Sequence, residues 1–283
     1  MPGGSMLNTA VSLGRAGIRV EFISEIAYDQ PGEMIIRFLQ ENHVSTSYLN
    51  RYIDGKTTVA LAFLNEGADA AYSFYSELSE ERLKGEFPVP GTNDIVLFGS
   101  FFSVADGVHE KLITFLTAAR RNHAVILYDP NFRRPHLAEL SRVMPRIIEN
   151  ISCADIIRGS DEDFLHIFAI RNPGDTYTRI RTRDDQVLIY TRSDNDVRVL
   201  TGKKEISVPV PGIEPLSTIG AGDSFNAGLI HAFIKMGMGR GMIDLLPDAD
   251  WERIAGNAIR FAQNTCMSLD NYISHDFIIS PGK

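Results

Sequence analysis

Two apolar rhythms alternate along the 283 residues. Spacings of three and four put Leu7, Ala10, Val11 and Gly14 on one face, and Ile35, Phe38 and Leu39 on another. The same spacing returns with Leu112, Phe115, Leu116 and Ala119, with Phe225, Leu229 and Phe233, and with Ile254, Ala258, Ile259 and Ala262. It predicts amphipathic helices from an N-cap at Ser5, over 34–42, over 109–122, from 225 to a stop at Gly237, and over 251–263. Residues 19–24 read as a strand. Apolar runs at 95–99, 125–128 and 187–191 predict strands buried on both faces, 154–157 reads as a further short strand, and 197–200 with 205–210 predict a hairpin. Between 45 and 76 the texture differs. The stretches 47–53, 57–65 and 70–75 are rich in Thr, Val, Phe and Tyr and are separated by Asp54-Gly55 and Glu66-Gly67. These predict consecutive antiparallel strands with no helix between them, a small β subdomain on an α/β body.

Hydrophobic content of 44% supplies a sizeable core for one domain spanning 1–283 with the 45–76 subdomain inserted in it. A net charge of −8, without any Lys/Arg block, excludes non-specific nucleic-acid binding. Cys153 and Cys266 lie far apart, which fits small buried hydrophobes rather than a disulfide framework or a zinc site. No apolar run approaches a membrane span and no signal peptide is visible, so the chain reads as cytoplasmic.

Chemistry concentrates in a few places. Ser217-Thr218-Ile219-Gly220-Ala221-Gly222-Asp223 runs into the 225–237 helix. Backbone N–H groups at a helix start hold anions, and a carboxylate beside such a site suits proton chemistry. Asp223 is equally readable as an ordinary helix-start residue and the glycines as a tight turn. Asp129-Pro130-Asn131-Phe132-Arg133 follows a buried strand, where ligand sites of open α/β sheets lie; the alternative is a plain Asp-Pro-Asn turn. Ser160-Asp161-Glu162-Asp163 opens a helix either as dipole complement or as a water-mediated Mg²⁺ site. Gly3-Gly4 reads alone as a flexible leader and Asn8 as a surface helix residue.

Taken in order, Gly3-Gly4-x-x-x-Asn8, Asp29-x-x-Gly32, a β lid, Asp129-Pro130-Asn131-x-Arg133 and Gly220-Ala221-Gly222-Asp223 resemble the ribokinase-like, or PfkB, family of carbohydrate kinases across essentially the whole chain. The resemblance implies a three-layer α/β/α fold with a mostly parallel sheet and a small antiparallel lid, ATP with Mg²⁺ as donor, and a sugar as acceptor. It assigns Asp223 as catalytic base, Gly220, Ala221 and Gly222 as anion hole, and Arg133 as an assisting cation. Gly3, Gly4, Asn8, Asp129 and Asn131 fall on the sugar side, Ser160, Thr191, Thr218 and Asn257 on the nucleotide side, and Glu162 and Asp163 on the metal side. Val59, Leu61 and Phe63 in the lid suggest a homodimer.

The pattern also departs from the family. The family's first strand, with its Gly-Glu or Gly-Asp segment, and a downstream sugar-binding Asp precede the point where this sequence starts. Ser217 replaces the Asp that accompanies a K⁺ site, Ser160 to Asp163 replace Asn-x-x-Glu, and Thr191-Arg192-Ser193-Asp194-Asn195-Asp196 lacks the glycines of a nucleotide loop. The expected activity is ATP-dependent phosphorylation of fructose or of a keto-sugar acid such as 2-keto-3-deoxygluconate. A nucleoside kinase and a catalytically weak sugar- or nucleotide-binding protein are the alternatives.

Overall fold

The computed structural model describes residues 2–64, 70–192 and 195–277. The Glu66-Gly67 turn, the Ser193-Asp194 step and the Phe63 side chain lie outside the described residues. Contacts divide the chain into two compact units, Met1–Pro88 with Glu214–Ala227 and Phe261–Lys283, and Val89–Ile213 with Gly228–Arg260.

In the first unit, α1 (Ser5–Arg15) precedes β1 (Val20–Glu21), β2 (Ser24–Ala27), α2 (Gln30–Glu41), β3 (Val44–Ser45), β4 (Leu49–Tyr52), β5 (Lys56–Leu64) and β6 (Ala70–Glu77). The strand expected over 19–24 is therefore two short ones. β1 pairs in parallel with β3, and β2 in parallel with β4. The stretch 47–53, expected to run antiparallel to its successor, instead runs alongside β2. Alternation of side chains does not encode direction, and α2 supplies the crossover that a parallel pair requires. β5 and β6 do form the expected antiparallel pair.

Leu7, Ala10 and Val11 of α1 pack with Leu39, Val44 and Tyr272 into a buried cluster edged by Phe22, Ile35 and Phe38. Yet every residue from Leu7 to Gly14 is buried, including Asn8, Thr9 and Ser12. This helix is buried on its polar side as well.

α2 begins with a lock. Asp29 is the N-cap, accepting Gly32 N–H at 2.8 Å, and it also takes Thr57 N–H and the Thr57 hydroxyl at the start of β5. A Cβ on Gly32 would overlap the Ala27 carbonyl oxygen. The Asp-x-x-Gly spacing thus ties a helix start to two strands.

The second unit holds β7 (Ile95–Gly99), α3 (His109–Arg121), β8 (Val125–Asp129), α4 (Leu140–Cys153), β9 (Ile156–Ser160), α5 (Asp161–Phe168), α6 (Pro173–Ile180), β10 (Val187–Arg192), β11 (Asp196–Leu200) and β12 (Glu205–Pro209). The strands form one sheet in the order β12-β11-β10-β9-β8-β7. β7 to β10 are parallel, and the β11–β12 hairpin adds antiparallel strands at one edge. Every residue of β8 is buried, as strands covered on both faces require. α3 and α4 pack on β8, α5 on β9 and β10, and α6 on β11. The α/β body with a mostly parallel sheet is as expected. Residues from both units then make up α7 (Ala221–Lys235) and α8 (Asp248–Cys266). Phe225, Leu229 and Phe233 of α7 are all buried, as their spacing predicts. Cys266 is buried, Cys153 is half-buried, and both are free. No helix among the described residues is long and apolar enough to cross a membrane.

Burial alone would raise the Asp29 carboxyl, but the Thr57 and Gly32 hydrogen bonds hold it below its usual range. Its stabilisation is therefore full above the unfolded value and fades as pH falls through the folded one. Asp29→Ala is expected to cost about 1–2 kcal/mol in denaturant unfolding near neutral pH. That cost should shrink once the pH drops below the ordinary Asp value of 3.8. Gly32→Ala should cost more than Asp29→Ala, because the overlapping atom belongs to the backbone and cannot rotate away.

Candidate active site

The chain from Ser217 enters α7 through a tight turn. Ala221 N–H donates to the Thr218 carbonyl at 3.2 Å, and Ser224 N–H closes the first helical turn on Gly220 at 2.9 Å. Gly220 has φ +81, and a Cβ there would overlap the Asn271 carbonyl. Only glycine meets both conditions without strain. The N–H groups of Gly220 and Gly222 have no partner among the described residues. They lie at the positive end of the helix, where N–H groups stabilise anionic oxygens.

Asp223 follows as the third residue of α7 and is 8% exposed. Its Oδ1 accepts the Ser5 hydroxyl at 2.7 Å and its Oδ2 accepts Asn8 Nδ2 at 2.8 Å. Thr9 Oγ1 donates to its main-chain oxygen at 2.9 Å. One turn further along α1, Ser12 Oγ meets Ser224 Oγ at 3.1 Å, and Thr265 Oγ1 donates to Ser224 Oγ at 2.7 Å. Two readings of the helix start need correction. Ser5 is not the N-cap: Gly4 holds that place with φ +129, no side chain caps the helix, and the Ser5 hydroxyl is spent on Asp223. Asn8 is not a surface residue, being 4% exposed. Its Oδ1 is buried with no donor among the described residues, close to where a side chain on Gly3 would begin. The spacing missed Ser5, Thr9, Ser12 and Ser224 as neighbours of Asp223. The signal was there as a second stripe, Ser5, Asn8, Thr9 and Ser12, at the same helical spacing as the apolar one.

In the second unit, Asp129 ends β8 at 1% exposure. Its Oδ2 accepts Arg158 Nη1 at 3.0 Å and its Oδ1 accepts Asn131 N–H at 3.0 Å. Arg158 Nη2 continues to Thr191 Oγ1 at 3.1 Å. Asn131 has φ +39 and its amide donates to Ser100 Oγ at 3.2 Å. Asp129 and Thr191, expected on the sugar and nucleotide sides, are thus bridged by a buried guanidinium. Arg158 was missed; a cation closing the apolar run Ile156-Ile157 was its signal. Arg133 is exposed and its side chain has no partner among the described residues.

The two carboxylates expected on the metal side have different surroundings. Asp163 Oδ2 accepts the Ser160 N–H at 2.8 Å and hydroxyl at 2.6 Å in a capping box. Its Oδ1 accepts Phe132 N–H at 2.7 Å. Asp163 and Ser160 therefore cap α5 and pin the 129–133 loop. Glu162 is exposed, 4.0 Å from His166. Among the described residues no three His, Cys, Asp or Glu side chains gather as a metal site. Asn257 donates to the Gly228 carbonyl at 2.7 Å and clips α8 to α7, and Thr218 is exposed. Ser193 and Asp194, at the altered nucleotide loop, lie outside the described residues.

Comparison with known proteins bears on both units. A fructokinase of Rhizobium leguminosarum bv. trifolii is 30% identical over 241 residues, covering 83% of this chain and 72% of that one. Among solved structures, fructokinase from Vibrio cholerae O395 in fructose-, ADP- and calcium-bound form matches with a TM-score of 0.82 at 16% identity, covering 95% of this chain and 86% of that one. Aminoimidazole riboside kinase from Salmonella enterica, complexed with aminoimidazole riboside and an ATP analogue, matches with a TM-score of 0.80 at 18% identity, covering 98% and 89%. At such identities the structures establish the fold. The model for pfkB family carbohydrate kinases matches residues 1–266, nearly the full length. This chain belongs to the pfkB family of carbohydrate kinases.

Proposed function

We propose that this member of the family transfers the γ-phosphoryl group of ATP to a hydroxyl of fructose, with Asp223 as the base. One observation carries the reading: a buried carboxylate, which accepts from Ser5 and Asn8, follows directly on the N–H groups of Gly220 and Gly222, which have no partner among the described residues. Phosphoryl transfer asks for positioning and charge stabilisation more than for covalent chemistry. Asp223 takes the proton of the acceptor hydroxyl as the new O–P bond forms. The Gly220 to Gly222 backbone receives charge on the transferring oxygens. The unsatisfied Asn8 Oδ1 accepts from a sugar hydroxyl, and the bare Gly3 and Gly4 leave room for the ring. Arg133, exposed and with no side-chain partner among the described residues, supplies a fixed positive charge.

Mg²⁺ supplies neutralisation of the phosphate oxygens. It is commonly held by one or two carboxylates together with the phosphates themselves, and on this reading it arrives with the nucleotide. Glu162 is the carboxylate of the expected pair with oxygens to spare. Fructose is the first choice because of the Rhizobium relative. A riboside is the second, from the similarity to aminoimidazole riboside kinase. The paired strands β5 and β6 carry exposed Val59, Leu61 and Tyr75 on one face, an apolar surface suited to a second copy of the chain.

ADP release measured across ketoses, aldoses, sugar acids and nucleosides should give fructose the largest kcat/KM; a nucleoside in first place would transfer the assignment to the second reading. Asp223→Asn should lower kcat by about 10²–10⁴-fold with little change in unfolding temperature. Near-normal turnover of that variant would remove Asp223 from the chemistry. Light scattering at micromolar concentration should report a dimer, and Leu61→Lys should shift it toward monomer; a monomeric wild type would discard the proposed interface.

A further inference from the structure

We infer that Ser5 is a positioning residue for the base: its hydroxyl, together with the Asn8 amide, fixes the plane of the Asp223 carboxylate. This rests on the reading of Asp223 as the base. An Asp carboxylate turns easily about its last torsion, whose wells are broad and two-fold. A single donor leaves much of that freedom. Here Ser5 holds Oδ1 at 2.7 Å and Asn8 holds Oδ2 at 2.8 Å, so rotation in either direction breaks a bond. Both donors stand on one rigid helix, three residues apart and therefore on one face. Thr9 anchors the main-chain oxygen of Asp223 to the same helix. Backbone and carboxylate of the base thus share one reference frame.

A role in helix capping does not account for Ser5, because its side chain makes no capping bond. Nor is it needed to join α1 to the loop. The Thr9 bond and the Ser12–Ser224–Thr265 chain do that without touching the carboxylate. What Ser5 adds is specific to Oδ1. Each carboxylate oxygen can accept two hydrogen bonds, so one donor on each does not by itself exhaust it. A base works only from a narrow range of positions, and about 1 Å of misplacement costs on the order of 10²-fold in rate.

The test combines steady-state ADP release, with fructose and MgATP, for wild type, Ser5→Ala and Ser5→Thr, and a crystal structure of Ser5→Ala. Ser5→Ala should lose about ten- to hundredfold in kcat, with KM for both substrates within about threefold. Ser5→Thr, which keeps the hydroxyl, should recover most of the loss. In the Ser5→Ala crystal the Asp223 carboxylate should be turned or split between orientations. Wild-type kcat in folded Ser5→Ala, an unmoved carboxylate, or Ser5→Thr as slow as Ser5→Ala overturns the inference. Failure of the base reading looks different: turnover retained by Asp223→Asn, or a wild type inert toward every acceptor, removes the base and with it the role of Ser5. An inactive Asp223→Asn beside a fully active Ser5→Ala removes Ser5 alone.

Discussion

A charged carboxylate taken out of water must be repaid in hydrogen bonds, and the first unit is arranged around that demand at Asp223. The donors come from α1, a helix that begins over two hundred residues earlier in the chain. To deliver them α1 buries its hydroxyl- and amide-bearing side along with its apolar side. The cost of burying Thr9, Ser12 and Ser224 is offset because each finds a partner within the same seam. The Ile273 N–H on Ser12 and the Asn271 carbonyl against Gly220 draw the C-terminal segment into the same arrangement.

In the second unit the parallel strands are apolar on both faces, so what is polar gathers at their ends. Asp129 and Ser160 close β8 and β9 and Thr191 stands one residue before the end of β10; Arg158 bridges Asp129 and Thr191, and Asp163 takes the Ser160 N–H and hydroxyl. Leaving one member of the Asp129–Arg158 pair without the other would strand a buried charge. Nearby, the Arg133 side chain is exposed and has no partner among the described residues.

Much of the fold was legible because its period is strong. The stripes of α1, α3, α7 and α8 and the apolar strands β7 to β10 follow directly from residue spacing. Strand direction was not legible: β4 looks the same read as a hairpin arm or as a parallel partner of β2, and only the placement of α2 decides. At the site, glycine and aspartate at 220–223 were readable because their conformational and chemical demands are local. Ser5 was not, since a serine before an apolar helix is a good cap in isolation, and its real partner is 218 residues away. Asp163 is the reverse case: its acidity suggested a cation, and the N–H groups and hydroxyl its oxygens accept are ones only a fold can bring to it.

The glycine at 220 carries two independent prohibitions, a left-handed backbone and a carbonyl oxygen where a side chain would begin. A prohibition of one kind can be bypassed by a neighbour that shrinks or turns. Both together cannot, because the obstructing atom is backbone and its position does not depend on which residue occupies 271. At 271 the constraint that Gly220 imposes therefore falls on the main-chain path rather than on the identity of the side chain. The tolerance of the loop to mutation is set less by its own composition than by the course of a segment fifty residues downstream, on the order of a whole helix and turn away in sequence.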